Sequence, residues 1–397
     1  MFTCCFNYLC KLVGPRDNNN ITNLINNKKR IKLKALDMTN KEKNFPNFFQ
    51  KYKLMRKIMV IRNNSDVPSD IKNQEEKSPH ERFRDSKSLS VTDFSSLAWC
   101  ELQQHYFFIA GGRKETLAMK IGSEIHNKLE LQEHDIISIP THTKEDIWGI
   151  KLYNLIFGID SLFINLKTRE LPIFGFVSGL FVFGIIDQIE MKPVFDDISR
   201  DELIISDTKT RTKQYIPKYV PPSVKFQLML YKKLFDELVQ GTFDEMKIFQ
   251  TLDLNPDLEF SKELANIVNI SYKEKEMKEF KPNLRNLMKV VINSFGKVWK
   301  SCNILEVNYK FQKDGSDLGS KYFDYDENQL DNYLEKTVKY WKGDRKPEGV
   351  PIEDAWKCQN CEFADNCEWR LNKIKEREQN KRALLEITNG QPKLRLN

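Results

Sequence analysis

The 397 residues supply material for one large domain or two ordinary ones, with ample core. The net charge of +7 is unevenly placed: residues 1 to 64 carry fourteen Lys or Arg against three Asp or Glu, a balance of +11, which leaves −4 for everything after them. Overall charge is thereby excluded as the source of nucleic-acid affinity in the body of the chain, which must come from a local basic groove.

Residues 1 to 87 read as a basic extension and linker. They are rich in Asn and Lys, poor in acids, and offer only short apolar runs such as Ile58-Met59-Val60-Ile61. A disordered arm and an organellar targeting segment both fit this composition, although transit peptides favour Arg and Ser over Lys and Asn. Ser65 to Asp85 is polar, holds Pro68 and Pro79, and makes the expected linker, so the folded part is expected to begin near Ser88.

Further along, Leu117, Ile121, Ile125 and Leu129 repeat every four residues, the mark of an amphipathic helix. His126 lies beside that stripe, and Gly122 clears room one turn earlier. Leu171 to Ile186 is strongly apolar but shorter than the roughly 20 residues a bilayer crossing needs. It is also broken by Pro172, Gly175, Ser178, Gly179 and Gly184, and reads as consecutive buried strands turning near Ser178-Gly179. No membrane association is expected.

Strand alternation through Phe181, Phe183, Ile185, Asp187 and Ile189 puts Asp187 on a face otherwise made of large apolar side chains, where a lone carboxylate is costly. On the next run, Leu203, Ile205, Asp207 and Lys209 share one face. Antiparallel pairing of the two runs sets Asp187 beside Asp207, with Lys209 just beyond. Two close carboxylates repel unless a cation lies between them, and such oxygen ligands suit magnesium or manganese, the ions of phosphodiester hydrolysis. A solvated D-x-K at a strand end is the bland alternative.

Arg211, Lys213, Gln214, Tyr215, Lys218 and Tyr219 then interleave cations and aromatics, as a single-strand track requires: cations for phosphates, rings for stacking. Pro221-Pro222-Ser223 resembles a helix start, with Gly241 beyond the end of a helix over Val224 to Leu238. Gln227 and Tyr231 fall on one face of it, lining a polar cleft or filling core.

Near the C-terminus, Cys358, Cys361 and Cys367 are spaced C-x2-C-x5-C among Glu, Asp, Asn and Gln. Three thiolates leave a tetrahedral site one ligand short, and Cys100 is the best fourth, so such a site would tie the two ends of the globular region together. Zinc and an iron-sulfur cluster both suit four thiolates, and the spacing does not choose between them. Disulfides are disfavoured, because no apolar signal-peptide core opens the chain and Cys4, Cys5, Cys10 and Cys302 show no paired framework.

Taken in order, Gly122-Ser123-Glu124-Ile125-His126, Arg169-Glu170-Leu171-Pro172-Ile173-Phe174-Gly175, Phe183-Gly184-Ile185-Ile186-Asp187, Ser206-Asp207-Thr208-Lys209-Thr210-Arg211, Gln227 with Tyr231, and the cysteine frame resemble the RecB-type branch of the PD-(D/E)XK nucleases. The set is most similar to the exonuclease V family. The resemblance covers about residues 88 to 375 and leaves the basic arm and the charged tail, 376 to 397, unmatched. It implies an α/β restriction-endonuclease-like core, a mixed central sheet flanked by helices, with an iron-sulfur-stapled helical region. It further implies a single-strand-specific DNA exonuclease of DNA repair, working in mitochondria or alternatively in the nucleus. The implied cofactors are a 4Fe-4S cluster on Cys100, Cys358, Cys361 and Cys367 and Mg2+, replaceable by Mn2+, at Asp187 and Asp207. Lys209 would be the catalytic lysine, with His126, Gln227 and Tyr231 as accessory residues. Single-stranded DNA is the implied partner, a single-strand-binding protein a second, and the chain is expected to act as a monomer. The motif's second acid is often Glu, and Asp207 is shorter, which bears on metal placement.

A non-catalytic single-stranded DNA-binding protein with a zinc or iron-sulfur clamp is the alternative from another class: it would keep the cysteines without needing the acids. A helicase is disfavoured, since no G-x-x-x-x-G-K-[ST] loop occurs.

Overall fold

In the computed structural model, residues 57–60, 77–84, 87–194, 197–273 and 280–389 are described. The first elements are β1 (Lys57–Val60), α1 (Pro79–Phe83), β2 (Leu89–Ser90), α2 (Val91–Ser95), α3 (Glu101–Ile109), α4 (Leu117–Glu133), β3 (Ile136–Ile139) and α5 (Lys144–Asn165). The strands β4 (Lys167–Val177), β5 (Leu180–Val194) and β6 (Asp197–Arg211) follow, then α6 (Pro222–Gln240), α7 (Glu245–Thr251), α8 (Lys262–Lys273) and α9 (Leu284–Phe295). Last come β7 (Ile304–Phe311), β8 (Asp317–Asp324), α10 (Glu327–Trp341), a 3-10 stretch over Ile352–Asn360 and α11 (Glu368–Asn389).

The strands form a mixed six-stranded sheet in the order β2-β5-β6-β7-β8, with β4 on the other side of β5. β4 and β5 are the hairpin expected from the apolar run. Their turn is Ser178-Gly179, both at positive φ (48° and 89°), the backbone that a two-residue turn between right-twisted strands needs. β5 and β6 pair antiparallel through Gln188↔Ser206, β6 and β7 run parallel, and β7 and β8 antiparallel. The architecture is therefore a mixed α/β sheet flanked by helices.

The core helix is α5. Its apolar residues run around the whole circumference, long enough to cross a membrane by length and composition, yet Ile150, Leu152, Leu155, Ile156 and Ile159 are all buried in the core. A capping box of Thr143 and Asp146 starts it, and Gly158 lets it approach β4, since a Cβ there would meet Leu171 Cδ1 at 2.4 Å. Helix α6 begins at the expected Pro pair and stops at Gly241 in the left-handed conformation (φ 66°).

Three expectations shift. β1 pairs in parallel with β3, and α1 carries a complete Ser78–Glu81 capping box, so structure begins ahead of the boundary drawn at Ser88. The charged tail from 376 is not separate either, because α11 runs through it to Asn389; residues 1–56 of the arm and 390–397 lie outside the described residues. Finally, the apolar stripe of the amphipathic helix α4 runs out at its N-terminal end: Ile125 is buried and Ile121 and Leu129 half-buried, but Leu117 is 74% exposed.

Candidate active site and thiol site

Three neighbouring strands and two helices deliver the site. Asp187 lies on β5 and Asp207 on β6, one step beyond the Gln188↔Ser206 pair, so the two are cross-strand neighbours as the hairpin arithmetic requires. The Asp187 face is less apolar than alternation suggested, since Ile185 is 42% exposed and the Asp187 side chain keeps 13% of its own surface. The carboxylate is therefore partly open to solvent. Its Oδ2 accepts a hydrogen bond from the Thr208 backbone N at 2.7 Å.

His126 comes from α4. The helix can lie this close because Gly122 has no side chain; a Cβ there would meet Thr210 Oγ1 at 3.1 Å. His126 Nε2 lies 3.0 Å from the Thr208 carbonyl, which can only accept, so Nε2 carries the hydrogen. Nδ1 then faces two carboxylates, Asp187 at 3.6 Å and Glu170 at 3.8 Å. Burial disfavours a charged imidazole, but Glu170 and Asp187 outweigh it and hold His126 above its ordinary pKa.

Glu170 is the residue that sequence reasoning did not assign. Ligand atoms of His126, Glu170 and Asp187 all lie within 4.8 Å of one another, and Glu170 Oε1 is buried without a hydrogen-bond partner. The signal was available: a hairpin that turns at 178–179 sets residue 170 opposite residue 187.

Asp207, 1% exposed, points to a second group of side chains. Lys209 Nζ lies 2.9 Å from Asp207 Oδ2 and donates to Oδ1 at 3.1 Å and to Gln227 Oε1 at 3.2 Å; Gln227 Nε2 in turn donates to the Tyr231 hydroxyl at 3.2 Å. Tyr231 packs against Gly184, where a Cβ would meet its Cε1 at 2.7 Å. Burial pushes the Asp187 and Asp207 carboxyls up, Asp207 to about 6 with Asp187 adding to the rise and Lys209 opposing it. Burial works against the Lys209 charge, yet the two aspartates keep its pKa above the usual lysine value. Six sequence-derived residues, His126, Asp187, Asp207, Lys209, Gln227 and Tyr231, thus converge through these contacts.

Beyond β6 the basic aromatic loop is exposed. Tyr215 and Tyr219 show 52% and 72% of their surface, with the Arg211 guanidinium 5.3 Å from the Tyr215 ring and the Lys218 ammonium 5.1 Å from that of Tyr219.

The four cysteines line one cavity elsewhere on the fold. Cys100 is the N-cap of α3, Cys358 and Cys361 close the 3-10 stretch, and Cys367 immediately precedes α11. Gln103 Nε2 donates to Cys361 Sγ at 3.5 Å, and Phe363 packs on Tyr106 and Phe107. Arg345 grips Glu101 through both guanidinium nitrogens at 2.6 and 2.7 Å, and the Glu348 backbone N adds a third bond to the same carboxylate. Burial raises the Cys100 and Cys358 thiol pKa values, with neighbouring thiols adding to the rise.

A family model described as "Exonuclease V - a 5' deoxyribonuclease" matches residues 78–200 and 191–370. A Danio rerio protein named Exonuclease V is 32% identical over 303 residues, covering 75% of this chain and 74% of that one. The chain belongs to the exonuclease V family. Another similar member, from Candida dubliniensis and named "Exonuclease V, mitochondrial", is 21% identical over 448 residues, covering 70% of this chain and 71% of its own. The matched span holds every residue of both sites and starts at Ser78, the N-cap of α1, upstream of the boundary expected from composition.

Proposed function

We propose that this exonuclease V family member is a divalent-metal-dependent, single-strand-specific DNA exonuclease with a PD-(D/E)XK core, attacking from 5′ ends as the family description has it. The observation that carries the proposal is the crowding of His126 Nδ1, Glu170 and Asp187 within 4.8 Å, with Glu170 Oε1 buried and unbonded. Buried carboxylates at that separation are costly unless a cation satisfies them. Oxygen donors with one imidazole suit Mg2+ or Mn2+, and Asp207 is the further donor expected beside them. When bound, such an ion polarises the phosphate and acidifies water.

The protein's own share of the chemistry follows from protonation and anchoring. Lys209 stays an ammonium between Asp207 and Gln227, so it acts as a hydrogen-bond donor to charge developing on the phosphate rather than as a base. The Tyr231 phenol, its pKa raised by burial, keeps its proton and fixes Gln227. His126, donating from Nε2, offers Nδ1 to the cation. The exposed Tyr215 and Tyr219 with their cations supply stacking and phosphate contacts for an unpaired strand.

For the thiols, a 4Fe-4S cluster is the better fit. The four thiols line one cavity, as any four-thiolate group requires, and the exonuclease V resemblance is what favours the cluster over zinc. Its work is structural, fastening α3 to the C-terminal segment. Mitochondrial action in DNA repair, as a monomer on single-stranded DNA coated by a single-strand-binding protein, completes the proposal; the mitochondrial part leans on the Candida relative's name.

The test is purified protein with Mg2+ on end-labelled linear and on circular single strands. Cleavage of the linear strand alone, from its 5′ end and lost in D187N, is expected. Cleavage of circles would make it an endonuclease, and wild-type protein inert on both would leave a DNA-binding clamp. Iron content and a broad visible absorption band test the cluster; colourless protein with bound zinc would overturn it.

A further inference from the structure

Glu170 stands opposite Asp187 in the hairpin, but its backbone leaves the regular strand. Its φ is 49°, a left-handed conformation that side chains rarely adopt, and the β4–β5 register passes from Arg169↔Gln188 to Leu171↔Ile186 without it. The kink needs an external hold. That hold is a residue from far upstream: Lys57, only 7% exposed, whose Nζ donates to the Glu170 carbonyl oxygen at 2.9 Å. The same ammonium bonds Glu130 Oε1 at 2.5 Å. Glu130 sits one turn beyond His126 on α4, on the same face. Lys57 is itself delivered by β1, docked along β3 through a Lys57 N to Asp135 O bond of 2.9 Å.

One buried ammonium thus bridges the strand that presents Glu170 and the helix that presents His126. We propose that Lys57 is a positioning residue for the divalent-ion site, fixing the Glu170 backbone so that its carboxylate faces His126 and Asp187. The inference rests on the metal-dependent reading above and goes beyond it. It also limits the basic arm: any leader removed from this chain must end before Lys57, because removal of that residue would release a ligand of the site.

The experiment is Mn2+ binding by isothermal titration calorimetry to full-length, cluster-loaded protein stripped of divalent ions. Circular dichroism and melting without Mn2+ report the fold. K57M is expected to weaken Mn2+ affinity by about tenfold or more, the usual effect of losing a residue that orients a ligand. K57R, which keeps donor and charge, should stay within about threefold of wild type. E130Q removes the ion pair with α4 but leaves the Lys57 to Glu170 bond, so it should change affinity by less than about twofold. K57M that binds Mn2+ as wild type does would overturn the proposal. So would E130Q as damaging as K57M, because Lys57 would then act by fastening β1 to α4. Should K57M not fold, K57A, which also removes the donor, is judged by the K57M criterion. Wild-type protein that takes up no Mn2+ would overturn the metal reading itself.

Discussion

The carboxylate site and the thiol site are held in different ways. Asp187, Glu170 and Asp207 stand on three hydrogen-bonded neighbouring strands, and His126 and Lys209 are bonded to protein groups before any ion arrives. The four thiols come from two segments that strands β4 to β8 separate in sequence, and the 3-10 stretch holding Cys358 buries none of its residues. Phe363, Gln103 and the Glu101–Arg345 pair are the visible ties. A site on a sheet is preformed by the fold, whereas a site between chain ends contributes to the fold it needs.

The comparison breaks most visibly through a thiol. C361A should lose the cluster and lower the melting temperature by about 10 °C or more, because ligation supplies folding free energy that this weakly buried segment lacks. Limited proteolysis should then cut between α10 and α11. C361A that melts like wild type would show the segment to be held by packing alone.

Next in size is the catalytic loss at the preformed site. D187N and E170Q should each lower the cleavage rate on the order of 10³-fold, the several kcal/mol of a lost charge-stabilising ion. Their melting temperatures should stay level or rise, since each removes one of two carboxylates crowded at the same imidazole. E170Q with full activity would confine the site to the pair read from sequence, Asp187 and Asp207.

That pair shows what a sequence discloses. Period-two alternation along two runs read as an antiparallel pair was enough to place Asp187, Asp207 and Lys209, because register between buried strands is set by pattern. Glu170 lay within reach of the same arithmetic through the Ser178-Gly179 turn, whereas its left-handed backbone is something a glutamate does not advertise. Lys57 was not legible: a lysine in a basic, Asn-rich stretch reads as solvated, and only the parallel pairing of β1 with β3, far apart in sequence, buries it. Helix α5 gave no 3.6-residue period, as its apolar residues face core all round. The thiol quartet was legible as residue types, while its metal depends on distances that spacing does not contain.

The preformed site also stores repulsion, which pH should reveal. Asp207 has its folded pKa raised to about 6 by burial and by Asp187, above its value in the unfolded chain, so the folded state binds the proton more tightly. Stability from this group is therefore fully present below the ordinary carboxylate range and lost as pH rises through about 6. His126, also raised, adds in the same direction. Melting of cluster-loaded protein stripped of divalent ions should fall by a few degrees across that window, with a shallower slope in D207N and in wild type saturated with Mn2+. Equal slopes in all three would mean that the carboxylates are not in repulsion.

The smallest effect expected separates the two anchors of Lys209. Its ammonium is fixed by Asp207 on one side and by Gln227 on the other, and Gln227 is in turn held by Tyr231. Q227M conserves volume but removes the acceptor, so Lys209 keeps its charge and its aspartate while losing one of two directional bonds, worth about 1 kcal/mol. The cleavage rate should fall roughly fivefold to tenfold with KM for the single strand unchanged, because the lost bond orients a donor used in the transition state rather than in binding. A matching rise in KM at constant kcat would instead place Gln227 on the DNA path. An unchanged rate would show that Asp207 alone suffices to aim the lysine, making this half of the site even more preformed than the hydrogen bonds indicate.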